Sequence, residues 1–80
     1  MKPKNICGER IRFARVKLRM SQMDLSAALE VDHGIRIDGS TIGKIERMER
    51  GLYDFEMLAL SEILGVPVEW LLRGGELHIS

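Results

Sequence analysis

The side chains best suited to molecular recognition lie in the stretch from Ser21 to Glu46. Two short amphipathic segments flank a polar, glycine-containing turn, and the second segment opens with the hydroxyl residues Ser40 and Thr41. Lys44 follows one helical turn after Ser40, so the two side chains share a helix face. A helix that starts in this way can exchange hydrogen bonds with the edges of base pairs. The pattern indicates DNA binding before it indicates any catalytic reaction.

The residue types that support catalysis or metal binding do not form a convincing group. Cys7, His33 and His78 are widely separated and lack the spacing of metal ligands. Asp32, His33 and the nearby serines do not make a credible catalytic triad, and 80 residues leave little concave volume for a substrate. We expect no enzyme, no cofactor, no metal and no small-molecule substrate.

Length and composition predict one domain over residues 1–80, with its core at about 7–73. The hydrophobic share of 45% argues against disorder. The apolar runs are short of the roughly 20 residues that a membrane span needs, and the charged N-terminus lacks the apolar region of a signal peptide. The single cysteine agrees with a reducing compartment. These features predict a cytoplasmic protein with no membrane partner.

Charge is distributed unevenly along a chain whose formal net charge is zero. Residues 1–20 carry seven basic side chains against one acidic, whereas residues 51–80 carry one basic against five acidic. The basic segment at residues 1–20 can bind phosphates, although a run of charged residues is as often a surface exposed to solvent. The neutral total therefore does not argue against a nucleic-acid partner.

Apolar residues at helical spacing predict the first two of five short helices. The first helix is expected over about residues 7–18. Its inner face is predicted to comprise Ile11, Ala14, Arg15 and Leu18. Ser21 is predicted to be the N-cap of the second helix, because its hydroxyl can accept from a free backbone N–H. The inner face of that helix is predicted to comprise Leu25, Ala28 and Leu29.

Three further helices complete the predicted all-α fold. Asp38 is predicted to cap the third helix, and Asp54 is predicted to cap the fourth. Gly65 is expected to end the fourth helix, and Pro67 suits the first turn of the fifth. The inward positions of the third and fourth helices are Ile42, Ile45, Met57, Leu60, Ser61 and Leu64.

The segments GERIRFAR, SQMDLSAAL, STIGKIE, ALSEILGV and EWLL, in this order, resemble the Xre/Cro-type helix-turn-helix family of phage repressors and bacterial regulators. The resemblance covers about residues 7–73 and implies a compact bundle of five helices of the lambda-repressor-like type. In such domains helix 3, here about residues 39–47, lies in the major groove while helix 2 crosses the backbone.

The resemblance also assigns roles by position. Ser40 and Lys44 would read bases, since a lysine can donate to O6 and N7 of guanine and a hydroxyl can serve several bases. Thr41 would lie near the backbone, and Gln22 would either contact a phosphate or buttress helix 3. The cations expected at phosphates are Lys17, Arg47 and Arg50. Arg36, on the turn, either reaches the DNA backbone or is simply solvated.

Arg15 stands out because it lies on the inner face of helix 1, where an unpaired charge is costly. The resemblance implies that Glu46 on helix 3 is its partner and that the ion pair ties the two helices together. The alternative is that both side chains are solvated.

Three features depart from the common form of the family. The turn between helices 2 and 3 is several residues longer, as in a bacterial subset, so helix 2 extends or Ile35 and Ile37 pack beneath the turn. Met48 stands where glycine often ends helix 3, which predicts that the helix continues toward Gly51. Gly39 offers no side chain at a position that commonly reads a base.

The leading functional hypothesis is a sequence-specific transcriptional regulator, a repressor, that binds a palindromic operator as a homodimer. The alternative is a protein-interaction module, antitoxin-like or a phage-regulatory partner, with DNA binding secondary. The side chains that serve either the core or a protein contact are Phe13, Val16, Met20, Leu58 and Ile63.

Overall fold

The structure, a computed structural model, describes residues 2–77, which contain five α-helices and no strand. The helices are α1 (Gly8–Lys17), α2 (Gln22–His33), α3 (Gly39–Glu46), α4 (Asp54–Leu64) and α5 (Val68–Arg73). The prediction of an all-α, five-helix domain is confirmed.

One hydrophobic cluster draws side chains from all five helices and from the turn before α3. α3 packs against both α1 and α2, while α4 packs against α1, α2 and α5. Leu18 is an exception to the predicted inner faces: it follows the last residue of α1 and is half exposed. The side chains with almost no exposure are Cys7, Ile11, Leu25, Leu29, Ile42, Ile45, Leu60 and Leu71. Each large aliphatic one contributes about 1.5–3 kcal/mol through burial.

The start of α1 lies directly against the end of α3, and this approach requires a glycine. A Cβ on Gly8 would collide with the backbone O of Ile45 and would lie 2.6 Å from that of Glu46. Asn5 fastens the same junction: its amide donates to Ile45 O at 3.0 Å and to Arg50 O at 2.8 Å. Its Oδ1 accepts from the backbone N–H groups of Cys7 and Gly8 at the beginning of α1. Contacts from Asn5 and Gly8, near the N-terminus, thus fix the position of the end of α3.

Two of the three predicted N-caps are confirmed. Ser21 Oγ accepts from Asp24 N at 2.9 Å, and the Asp24 carboxylate accepts from Ser21 N at 2.8 Å, which completes a capping box. Asp38 Oδ1 accepts from Thr41 N at 2.7 Å. Both caps satisfy N–H groups that a helix start leaves without partners, so they fix where α2 and α3 begin.

The prediction that Asp54 caps the fourth helix is wrong by one residue. Tyr53 is the N-cap, and Asp54 is already helical. Glu56 accepts from the backbone N–H of Tyr53 at 3.0 Å, so its carboxylate supplies the return half of a capping box. The sequence pattern favoured Asp54 by its side-chain type, whereas the structure uses a carboxylate two residues later.

Residues 34–38 join α2 to α3. The two alternatives for the long turn, a longer α2 and isoleucines packed beneath the turn, both occur. α2 extends to His33 and is closed by Gly34, whose φ of 67° is left-handed. Ile37 is then buried and Ile35 is partly buried against the core. The Ser26 hydroxyl donates to the backbone O of Ile37, which secures the turn to α2.

The prediction that helix 3 continues toward Gly51 is wrong. α3 ends at Glu46, and Met48 adopts a left-handed φ of 61°. The backbone N–H of Glu49 then donates to Lys44 O at 2.8 Å, and Met48 N donates to Ile45 O at 3.0 Å. These bonds satisfy carbonyls at the end of α3 while methionine adopts a conformation that costs it about 1–2 kcal/mol.

This strained helix end gives a stability prediction. We expect Met48→Gly to have a free energy of unfolding about 1 kcal/mol higher than Met48→Ala. Both variants lose the same packing of the methionine side chain, so the difference reports the left-handed backbone. Urea unfolding measures it, and equal stability of the two variants would contradict a left-handed residue 48.

Candidate nucleic-acid interface

α3 has a buried side and an exposed side that differ in chemistry. Its buried residues are Ile42, Gly43, Ile45 and Glu46. Ser40 and Lys44 are exposed, as is Arg47, the residue that follows α3, and Thr41 is half-buried beside them. Residues 40, 44 and 47 follow helical spacing, so their side chains form one polar stripe. We call these three residues the α3 stripe.

Ser40 begins the α3 stripe with its hydroxyl proton already committed. Its Oγ donates to Asp38 Oδ1 at 2.9 Å, the same oxygen that accepts from Thr41 N. The backbone N–H of Thr41, followed by the hydroxyls of Thr41 and Ser40, holds the pKa of Asp38 below its ordinary value. Because an ionised Asp38 carboxylate can only accept, the Ser40 hydroxyl uses its proton there and its oxygen can still accept a hydrogen bond.

Gln22 and Arg47 meet over Gly43 in the middle of α3. A Cβ on Gly43 would lie 3.1 Å from Arg47 Nη1 and 3.4 Å from Gln22 Nε2. The Gln22 amide donates to Glu46 Oε1 at 3.2 Å. Of the two roles left open for Gln22, this contact is the buttress between α2 and α3. Its half-buried side chain still borders the α3 stripe.

Arg15 and Glu46 form a buried, two-pronged ion pair between α1 and α3. Arg15 Nε donates to Glu46 Oε2 at 2.6 Å, and Nη2 donates to Oε1 at 2.9 Å. Arg15 Nη1 donates to the backbone O of Met20 at 2.7 Å, so the guanidinium also binds the turn between α1 and α2. The hydrogen bond to Glu46 raises the pKa of Arg15, although desolvation works against it. The pair holds α3 in place.

A concave surface lies between α1, the start of α2 and the end of α3. Its exposed cations are Arg12, Lys17 and Arg47. Lys17 Nζ lies 5.5 Å from the centroid of the Phe13 ring, a cation–π contact that keeps the amine near the surface. Arg12 was not among the residues predicted to contact DNA. It belongs to the basic run on α1, and the sequence carries no signal that tells which members of that run face α3.

Arg47 and Arg50 have different partners, although both were expected at phosphates. Arg47 Nε donates to Glu49 Oε2 at 2.9 Å, and both side chains are exposed, so this pair is weak and exchangeable. Arg50 instead donates through both Nη atoms to the Glu56 carboxylate at 3.0 Å. Its guanidinium, expected at a phosphate, is therefore paired within the protein and secures the loop before α4. Arg36 is exposed on the turn before α3.

The remaining candidate groups have structural surroundings. Phe13 lies against Trp70, with ring centroids 6.1 Å apart, while Val16 is exposed and Met20 packs on the core. Cys7 is buried, and that burial raises the pKa of its thiol. His78 lies outside the described residues.

Within residues 2–77, no three His, Cys, Asp or Glu side chains are grouped so as to hold a metal ion. No helix in that range combines the length and the apolar character that crossing a membrane requires.

Comparison with solved structures finds a repressor. This chain is similar to the P22 c2 repressor protein, solved in complex with synthetic operator 9T in the presence of Tl+. The two share 31% sequence identity with a TM-score of 0.74, and the match covers 89% of this chain and 98% of the other. The chain belongs to the lambda-repressor-like helix-turn-helix family. No family model matches the chain, and no curated protein is significantly similar to it.

Membership in this family gives the contacts around α3 a common meaning. α2 and α3, joined by residues 34–38, form the helix-turn-helix of this lambda-repressor-like domain. Arg15, Gln22 and Glu46 link α1, α2 and α3 from the buried side. The α3 stripe remains exposed on the outer side.

Because the ion pair is buried, removing one of its two charges should destabilise the protein more than removing both. Glu46→Ala leaves Arg15 buried without its partner, so we expect the free energy of unfolding to fall by about 3–5 kcal/mol. The double variant Arg15→Met/Glu46→Leu removes both charges and should recover most of that loss. Urea unfolding of the three proteins measures the difference. A double variant as unstable as Glu46→Ala would contradict the pairing.

The Arg50–Glu56 pair predicts a pH dependence. Burial raises the pKa of Glu56, but hydrogen bonds from Arg50 and from Tyr53 N outweigh it, so the net pKa lies below the ordinary value. Stabilisation by a lowered pKa is complete above the ordinary glutamate pKa and is lost as pH falls through the folded-state value. The stability difference between the wild type and Glu56→Gln should therefore narrow from about pH 5 to about pH 3.

Urea unfolding at several pH values tests this dependence. Glu69→Gln, an exposed substitution on α5, is the matched control. A difference for Glu56→Gln that stays constant with pH would contradict the assigned role of the carboxylate.

Proposed function

We propose that this chain is a sequence-specific DNA-binding transcriptional repressor that reads the major groove with α3 and acts in the cytoplasm as a homodimer. The observation that carries this proposal is the α3 stripe. It is a polar, exposed face on a helix whose opposite side is fixed by buried contacts. The related P22 c2 repressor is a protein in complex with an operator.

Lys44 and Ser40 are the base-reading residues of this proposal. The exposed ammonium of Lys44 can donate to O6 and N7 of guanine. The Ser40 oxygen, whose proton is engaged by Asp38, favours a base that donates, such as adenine through N6 or cytosine through N4. The two side chains lie one turn apart, so they would address neighbouring base pairs.

The phosphate contacts of this proposal come from cations around the α3 stripe. Arg12, Lys17 and Arg47 line the concave surface between α1 and α3, and Arg47 can exchange Glu49 for a phosphate. In this proposal Thr41 and Gln22 would lie beside the DNA backbone, and Arg36 would approach it from the turn before α3. Such contacts supply affinity and register but little sequence information. Arg50 is assigned to Glu56 and not to DNA.

The proposal includes a homodimer on a palindromic operator. Two copies related by a two-fold axis would place their α3 helices about 34 Å apart, one turn of B-DNA. Because one domain offers few base-reading side chains, two half-sites would provide the selectivity that one lacks.

A second candidate function, a protein-interaction module, is favoured by one surface. Tyr53 and Phe55 stack with ring centroids 5.6 Å apart, and Leu58 lies exposed on the same helix as Phe55. Exposed aromatic groups of this kind are more frequent at protein contacts than elsewhere on a surface. If the protein bound no DNA duplex even at low salt, that result would favour the interaction module over the repressor.

The experiment that tests the proposed function is binding-site selection from random duplexes. We expect a palindromic site with half-site centres about one helical turn apart. Equal affinity for the selected site and a scrambled duplex would contradict sequence-specific binding.

Two lysine variants separate base reading from phosphate contact. Lys44→Ala should make binding to the selected site weaker by about 1–3 kcal/mol and relax the preference for guanine at one position. Its binding to scrambled DNA should change little. Lys17→Ala should weaken all duplexes alike and reduce the slope of log affinity against log salt by about one. Fluorescence anisotropy at several salt concentrations measures both. Arg73→Ala, an exposed cation on α5, is the control that should change neither.

A further inference from the structure

Gly39, at the start of α3, lies directly beside a side chain of α2. It is the first residue of α3, directly after the Asp38 cap. A Cβ placed on Gly39 would lie 3.4 Å from the Cγ of Met23 and 3.7 Å from the Met23 backbone N, which is ordinary van der Waals contact. The Met23 side chain, from the first turn of α2, is therefore an immediate neighbour of the first residue of α3.

Met23 remains solvent-exposed at this position. Its relative exposure is 77%, and it is not part of the hydrophobic cluster. A single exposed apolar side chain needs no explanation by itself. Its location is the informative observation, because Met23 follows Gln22 in sequence and covers the first residue of the helix that carries Ser40.

The α3 stripe and Met23 differ in the base features that they can recognise. Ser40, Lys44 and Arg47 offer polar groups, whereas Met23 offers a flexible, polarizable thioether. In the major groove, the apolar feature that marks one base is the 5-methyl group of thymine. Gly39 has no side chain, so Met23 is the apolar side chain beside the start of α3.

We propose that Met23 reads a thymine methyl in the major groove from α2, beside the start of α3, where Gly39 offers no side chain of its own. This inference rests on the proposed function and adds a specificity determinant outside the recognition helix. The expected effect of losing the contact is about 3- to 5-fold in affinity, the size expected for burial of one methyl group.

The test is binding-site selection with the wild type, Met23→Ala and Val31→Ala. Val31 is the matched control, an exposed apolar residue farther along α2 with 82% relative exposure. We expect Met23→Ala alone to relax a thymine preference at one position of each half-site. Replacing that thymine by 2′-deoxyuridine removes only the methyl group. It should weaken wild-type binding 3- to 5-fold and leave Met23→Ala unaffected.

The outcomes separate this inference from the function on which it rests. A selected site whose thymine-to-deoxyuridine change costs wild type and Met23→Ala equally overturns the role of Met23 and leaves the repressor proposal intact. The same holds if Met23→Ala selects the wild-type site unchanged. If the wild type selects no site, the proposed function itself fails. An unchanged thermal midpoint for Met23→Ala confirms that the variant is folded.

Discussion

The buried ion pair of Arg15 with Glu46 is the constraint on which the arrangement of this domain depends. Two charges taken from water must satisfy each other, and here they do so through two short hydrogen bonds between α1 and α3. The same carboxylate receives the Gln22 amide from α2, and the same guanidinium binds the carbonyl of Met20. One pair thus fixes the relative positions of three helices.

The outer face of α3 depends on this inner face. With Ile42, Ile45 and Glu46 turned inward, helical spacing leaves residues 40, 44 and 47 outward. Gly8 lets α1 approach the end of α3 closely enough for the pair to form. A rigidly held helix can present side chains to DNA with little further ordering on binding, which lowers the free-energy cost of association. Stability and the proposed recognition therefore use opposite sides of one helix.

Local sequence signals predicted the fold well. The apolar spacing of α2, α3 and α4 gave their inner faces because burial follows the period of the helix, and Ser21 and Asp38 capped as expected because capping is a local interaction. The two errors at helix ends have different causes. At α4 the sequence offers several acidic residues close together, and the acceptor for the first turn is Glu56, which also pairs with Arg50, so the helix begins one residue earlier than it would with Asp54 as its cap. At the end of α3, Met48 adopts a left-handed conformation while Lys4 N donates to its carbonyl, a contact across the chain that has no signature in a short window of sequence.

The sequence by itself determined the helices, the inner faces and the α3 stripe, because these depend on residue type and on a fixed helical period. The tertiary structure alone decided which charged groups are available to a ligand. Arg50 and Arg47 look alike in sequence, yet Arg50 is committed to the Glu56 carboxylate while Arg47 stays exposed beside Arg12 and Lys17. It also placed Met23 over Gly39. The reason is that pairing partners come from other helices, and their positions follow only from how the helices pack.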